Sequence, residues 1–474
     1  MAVLFRTAEA GQCPQDSQPL RGARENEWLS CEDQHALLDE IRAAELAGFG
    51  VLGGQKKMNR WVRLIGSVVA MAMIANFQYA WALFVKPMMG ATGWKLSDVQ
   101  WGFTLFIAFE TWVQPFAGRF MDRFGPRVFM SIGAILCALG WVGMGQTHSL
   151  MGLYALYSLA GIGAALVYCG STIVGLKWFP DKLGLASGLI AAGFGSGAAL
   201  FVPLIAHIIR AESFRSAFLY TGIGQGIAIL LVSQLMVNPD PNDPQIAGKT
   251  AVSKFKVRSQ AEQFTSAEML CTPQFYMLYA MMLMMGIGGL MVTAQVGSVA
   301  DALGISKVIF TVALTVNSLA NGAGRIFWGW VSDHLGRERT MIIAFLLQAL
   351  ALVSVLRLGR NSPFWFVALL AMVLFTWGEI YSLFPAAMAD FFGIKNSGSN
   401  YAFIYSSKGV ASILAGGLAA LLFERTGSWT VVFYGSAALA FITAIMAAWL
   451  ISVPQPTKLR EVSPAAAPVK SMEP

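Results

Sequence analysis

Twelve apolar segments of membrane-spanning length dominate this sequence and leave few folds open to it. They run at about 61–85, 98–118, 127–147, 150–176, 183–209 and 216–237, then near 274–299, 307–331, 340–358, 363–389, 399–423 and 428–452. Each holds about 20 residues or more, the length an α-helix needs to cross a hydrocarbon core of ~30 Å. Inside lipid the backbone amides must be satisfied within the segment, so repeated long apolar runs specify helices rather than open sheets. Composition agrees: the chain is 56% hydrophobic and 12% charged, where soluble domains carry about 25% charged residues. The expected fold is an all-α membrane protein of twelve transmembrane helices.

Polar chain divides these spans. Residues 1–57 form a polar N-terminal extension, 58–237 hold six helices, 238–272 form a central loop, 273–453 hold six more, and 454–474 form a tail. The extension lacks the apolar core of a signal peptide. Within it, "SCEDQHALLDEIRAAELAG" predicts a short helix from Ser30 to Gly48, with Asp33 at the capping-box position. Met58, just ahead of the first span, would serve equally as a start. Lys56, Lys57, Arg60, Arg63, Arg119, Arg123, Arg127, Lys177 and Lys182 fall on the side that holds both termini, with Lys86, Lys95, Arg357 and Arg360 opposite. The positive-inside rule therefore puts both termini in the cytoplasm. The sequence pI near 9.1 is read as this orientation and not as affinity for nucleic acid.

Nothing points to an enzyme, a metal or a cofactor. Cys13, Cys31, Cys137, Cys169 and Cys271 show no paired or metal-like spacing, and the four histidines are scattered. No Ser-His-Asp or phosphate-loop constellation appears, and "GFGSG" (193–197) lies inside a span rather than after a strand. Its glycines instead permit helices to approach closely.

The two halves repeat. "GRFMDRFGPR" (118–127) follows span 2 and "GWVSDHLGRER" (329–339) follows span 8, an offset of 211 residues. With an offset of 213, "KWFPDKLG" after span 4 meets "DFFGIKNS" after span 10, and Tyr168 falls opposite Tyr381. Two six-helix pseudo-symmetric halves are the plan of an alternating-access transporter, with substrate held near the midplane between them. The duplicated loop resembles the signature loop of the major facilitator superfamily. Gly118, Asp122 and Arg123, with Gly329, Asp333 and Arg337 in the second copy, are the candidate conformational-gate residues. The aspartates can pair with an arginine or a helix terminus.

Two cations stand where lipid-facing residues should be. Lys408 lies about nine residues into span 11, so ~13 Å deep at 1.5 Å per residue. Tyr401, Tyr405, Lys408 and Ser412 share one face of that helix. In span 8, Asn317, Asn321 and Arg325 form a second polar stripe. Their repeat counterparts are Gln114 for Arg325 and Gly195 for Lys408, so both cations belong to the second half. Two inward cations suit a carboxylate anion, bidentate at arginine and point-like at lysine. Gln78 and Tyr79 in span 1, Tyr168 in span 4, and Trp377 with Tyr381 in span 10 supply rings and hydroxyls at matching depth.

"FQYAW", "ALYSLAGIGAALVY", "KWFPDKLGLASGLIAAGFG", "NGAGRIFWGWVSDHLGR", "FTWGEIYSLFPA" and "NYAFIYSSKGVASI" are similar to the oxalate/formate antiporter family over about residues 58–455. That resemblance implies that Arg325 and Lys408 bind the substrate carboxylates inside an aromatic cage of Gln78, Tyr79, Tyr168, Trp377 and Tyr381. It further implies small carboxylate partners, a bacterial inner membrane and a monomeric carrier. Four departures stand out. Phe194 replaces a cage tyrosine, Tyr405 replaces a tryptophan one turn before the lysine, and Glu110 and Glu379 stand where the family has neutral residues. Glu110 shares a face with Gln114 and is expected to reach the cavity. Glu379, about 200° round its helix from Trp377 and Tyr381, is expected to face a neighbouring helix. A cavity glutamate would offset one cation or carry a proton. The expected function is secondary transport of small carboxylates by oxalate–formate-type exchange, with proton-coupled monocarboxylate symport through Glu110 as the alternative and a non-transporting sensor acting through residues 1–57 ranked behind both.

Overall fold

The computed structural model describes residues 58–240, 243, 245, 262–393 and 396–457, apart from the side chains of residues 118, 119, 122, 183 and 184. The expected helix at Ser30–Gly48 and the side chain of Asp122 lie outside the described residues. Every regular element among them is helical. Within the expected central loop, Ser266–Leu270 forms one helical turn capped by the Thr265 hydroxyl.

Ten helices are long and apolar enough to cross a membrane. The two expected spans that miss this measure are spans 2 and 8, and each does so for a physical reason. Span 2 yields only the 17-residue helix Leu96–Trp112 before a break at Val113, after which Gln114–Gln146 runs on through span 3. Span 8, Lys307–Leu335, is 29 residues long, but Asn317, Asn321 and Arg325 lower its hydropathy. These are the two spans that contribute Glu110 and Arg325.

Three further spans are interrupted, and each break sits beside an expected site residue. Span 1 is split into Arg60–Tyr79 and Ala82–Thr92. Span 10 is split into Pro363–Trp377 and Ile380–Phe392. Span 11 runs as Ser397–Tyr405 and Ser407–Ile413, then a π-helical turn at Leu414–Leu418, then Ala419–Thr426. Broken helices at mid-depth are the usual way in which a transporter frees polar groups for a ligand.

The repeat is visible in the backbone. Gly125 (φ 75°, ψ 157°) bends the chain after span 2, and Gly336 (φ 91°, ψ 156°) does the same after span 8. They stand at the 211-residue offset read from the sequence, in a region of φ/ψ space that only glycine occupies without strain.

Spans 5 and 8 pack along one side of the contact between the halves, and spans 2 and 11 along the other. The first pair crosses at Gly195 and Gly322, where a Cβ on Gly195 would lie 2.8 Å from the Gly322 Cα. The Ser318 hydroxyl donates to the Gly195 carbonyl at 3.0 Å. In the second pair, Thr104 and Ser412 donate to each other's carbonyls at 3.0 and 3.1 Å. Near the 1–2 and 7–8 connections, a cleft of about 830 Å³ opens between spans 1, 5, 7 and 8. Lys86, Arg210 and Lys307 line it, and Lys86 is paired with Asp301 at 2.6 Å across spans 1 and 7.

Candidate functional site

At mid-depth, spans 1, 2, 4, 5, 8, 10 and 11 converge on a sealed cage. Arg325 is 2% exposed and Lys408 not at all. Both face the same two rings: the Tyr381 centroid lies 4.1 Å from the Arg325 guanidinium carbon and 5.8 Å from Lys408 Nζ, which puts the cations within about 10 Å of each other. Phe194 is shared in the same way, at 5.5 and 5.7 Å. A cation over a ring face is attracted by the ring quadrupole, and more strongly in a dry site.

The two cations are held differently. Arg325 Nε donates to Asn321 Oδ1 at 3.2 Å, and Nη2 donates to the Tyr79 hydroxyl at 3.3 Å. Tyr79 in turn donates to the same Asn321 oxygen, whose amide nitrogen is tied to the Leu374 carbonyl. Among the described residues Arg325 has no carboxylate partner, and its Nη1 is buried without an acceptor. A guanidinium held this way keeps one edge of its fork unclaimed, and such a fork matches a carboxylate. Lys408, by contrast, is fully occupied. Its Nζ donates to Glu110 Oε2 at 2.7 Å, Gln78 Oε1 at 2.9 Å and the Tyr405 hydroxyl at 3.3 Å. Tyr405 donates to the other Glu110 oxygen at 3.3 Å.

Aromatic rings close the cage. Tyr168 stacks on Tyr405 at 5.7 Å between centroids and meets Phe194 edge-on at 5.5 Å. Trp377 packs edge-on to Tyr381 at 5.2 Å and to Tyr79 at 6.5 Å, with its face filling the space beside Gly289. Tyr401 packs against Tyr405 with the rings tilted, at 5.6 Å between centroids. The expected binding residues Gln78, Tyr79, Tyr168, Arg325, Trp377, Tyr381, Tyr405 and Lys408 thus lie in one cluster, together with Glu110. Glu379 lies apart: it is buried at the break of span 10, and neither oxygen has a hydrogen-bond partner among the described residues.

Sequence reasoning placed Asn321 on the Arg325 stripe without assigning it a task; it is the clamp that orients the guanidinium. The i, i+4 spacing of Asn321 and Arg325 was the available signal. In the candidate gate loops, Arg337 donates to Asp333 at 2.7 Å and to Asp390 of span 10 at 3.4 Å, and also bonds Ser332. Gly329 lies against Ser382. In the first copy, Arg123 is exposed and lies 5.6 Å from the Phe124 ring, and Gly118 lies within the helix that continues into span 3.

Known proteins are similar to this chain in sequence. The family model described as Major Facilitator Superfamily matches residues 65–294 and 276–473. The oxalate:formate antiporter of Oxalobacter formigenes is 38% identical over 85% of this chain and 93% of its own length. This chain belongs to the oxalate/formate antiporter family of the major facilitator superfamily. More distant relatives include the uncharacterized transporter YhjX of Escherichia coli, 27% identical over 75% of this chain and 86% of its own length. The apicoplast pyruvate carrier 1 of Toxoplasma gondii is 25% identical over 67% of this chain and 68% of its own length. As a major facilitator the chain is a multi-pass membrane protein and a secondary transporter, not an enzyme.

Proposed function

We propose that this family member exchanges small carboxylates, oxalate against formate foremost, by alternating access in a bacterial inner membrane. It acts as a monomer with both termini in the cytoplasm. The observation that carries the reading is the pair of buried cations over the Tyr381 and Phe194 rings, one of them, Arg325, with no acidic partner among the described residues. A carboxylate entering beside Tyr381 would take the free edge of Arg325 bidentately, while the tyrosine hydroxyls donate to its outer oxygens. The resemblance to the Oxalobacter antiporter adds the substrate pair. Exchange rather than uniport follows from charge, since an empty cage with an unpaired guanidinium is costly to carry through the occluded state. The Arg337 pairs to Asp333 and Asp390 support a gate that ties spans 8, 9 and 10 together in one state.

Counterflow decides the matter. Proteoliposomes loaded with oxalate should accumulate labelled oxalate or formate, and empty vesicles should not. Equal uptake by loaded and empty vesicles would refute obligatory exchange.

A further inference from the structure

The cage holds two basic side chains but only one net positive charge. Lys408 Nζ and Glu110 Oε2 are 2.7 Å apart, with side chains 0% and 1% exposed, which leaves Arg325 as the unbalanced cation. A monocarboxylate matches a cage of that charge. A dicarboxylate exceeds it by one, and excess charge in a dry, low-dielectric cavity is heavily penalised. Resting on the exchange reading above, we propose that Glu110 is a proton-carrying counter-charge. It takes up one proton when a dianion binds and gives it up when a monoanion takes the dianion's place.

The geometry allows the switch without a large rearrangement. Lys408 has three donors, now aimed at Glu110, Gln78 and Tyr405, and its ammonium already lies 5.8 Å from the centre of the Tyr381 ring, which Arg325 also approaches. When a dianion enters, one carboxylate engages Arg325. The Nζ bond to Glu110 passes to the other carboxylate, and a proton from the water entering with the substrate attaches to Glu110 Oε2. Glu110 Oε1 keeps the Tyr405 hydroxyl. On the opposite side the dianion leaves, a monoanion binds Arg325, Oε2 returns its proton to water, and Nζ re-forms its pair. The loaded cage is neutral in both directions. Exchange of a dianion for a monoanion therefore moves one proton with the dianion and no net charge.

The groups facing Glu110 are consistent with one carrier. From span 11 these are Lys408, Tyr405 and Tyr401; from span 4, Tyr157 and Tyr168; from spans 1 and 10, Tyr79 and Tyr381. All are cations or phenols, and Arg325 of span 8 completes the charge. Glu110 is the carboxylate in this group. Asp or Glu elsewhere, Glu379 included, makes no bond to Lys408 or Arg325 among the described residues.

The full chain in proteoliposomes tests this. Vesicles are loaded with formate and a pH-sensitive dye, the membrane potential is clamped with potassium and valinomycin, and oxalate is added outside. The wild type should acidify the lumen by one proton per oxalate, and the final distribution should not respond to potential. Glu110→Gln should lose the proton signal and become electrogenic, so that 100 mV shifts its distribution about fifty-fold. Wild-type exchange that follows potential without acidification would overturn the proposal while leaving the exchange reading intact. Absence of oxalate and formate counterflow at matched pH and zero potential would instead overturn the exchange reading, and the proposal with it. If the glutamine variant fails to insert, the wild-type proton count and potential response alone decide.

Discussion

The Lys408–Glu110 pair makes a prediction about stability that is separate from transport. Lys408→Met keeps the length of the side chain and removes the ammonium. Glu110 is then left 1% exposed with the Tyr405 hydroxyl as its remaining donor among the described residues. Removing one partner from a buried ion pair costs about 3–5 kcal/mol, because the survivor remains charged and dry. The double variant Lys408→Met/Glu110→Gln removes the stranded charge. It should recover all but ~1–3 kcal/mol, the cost of leaving Gln78 Oε1 without its donor. Thermal unfolding in detergent at one scan rate, followed by tryptophan fluorescence, should rank wild type above the double variant and the double above the single. A single variant that melts with the wild type, or a double no better than the single, would refute the buried-pair reasoning.

Three other outcomes follow from the same geometry. Arg325→Lys keeps the charge but loses the planar fork aimed at Asn321 and Tyr79, so oxalate counterflow should fall at least about tenfold, the loss of one good charge-assisted bond. Gly195→Val places atoms where a Cβ alone would already meet the Gly322 backbone at 2.8 Å, so labelled-substrate exchange should stop while membrane insertion, seen by size-exclusion profile, persists. Lys86→Ala breaks an exposed pair to Asp301 worth about 0–1 kcal/mol, so melting should barely move. Exchange initiated from that face should become faster or slower without a change in the substrate's apparent affinity.

The bundle was legible in the sequence because its determinants are local. Spanning length and apolarity set the helices, and the glycine loops at a 211-residue offset announced two related halves; Gly125 and Gly336 then adopt the same backbone conformation. Helical spacing also placed Asn321 with Arg325 and Tyr405 with Lys408, since neighbours at i+3 and i+4 share a face whatever the helix packs against. Sequence could not say how one helix is rotated against the next. Glu110 and Lys408 are 298 residues apart, and only the packing of span 2 along span 11 brings them within 2.7 Å. The same packing leaves Arg325 without an acid and the Glu379 carboxylate without a hydrogen-bond partner among the described residues. Sequence alone therefore determined two cations at depth on polar helix faces, with aromatic residues at matching positions. Tertiary structure decided that one of them is already neutralised, because charge balance in a dry site depends on distances that no local period encodes.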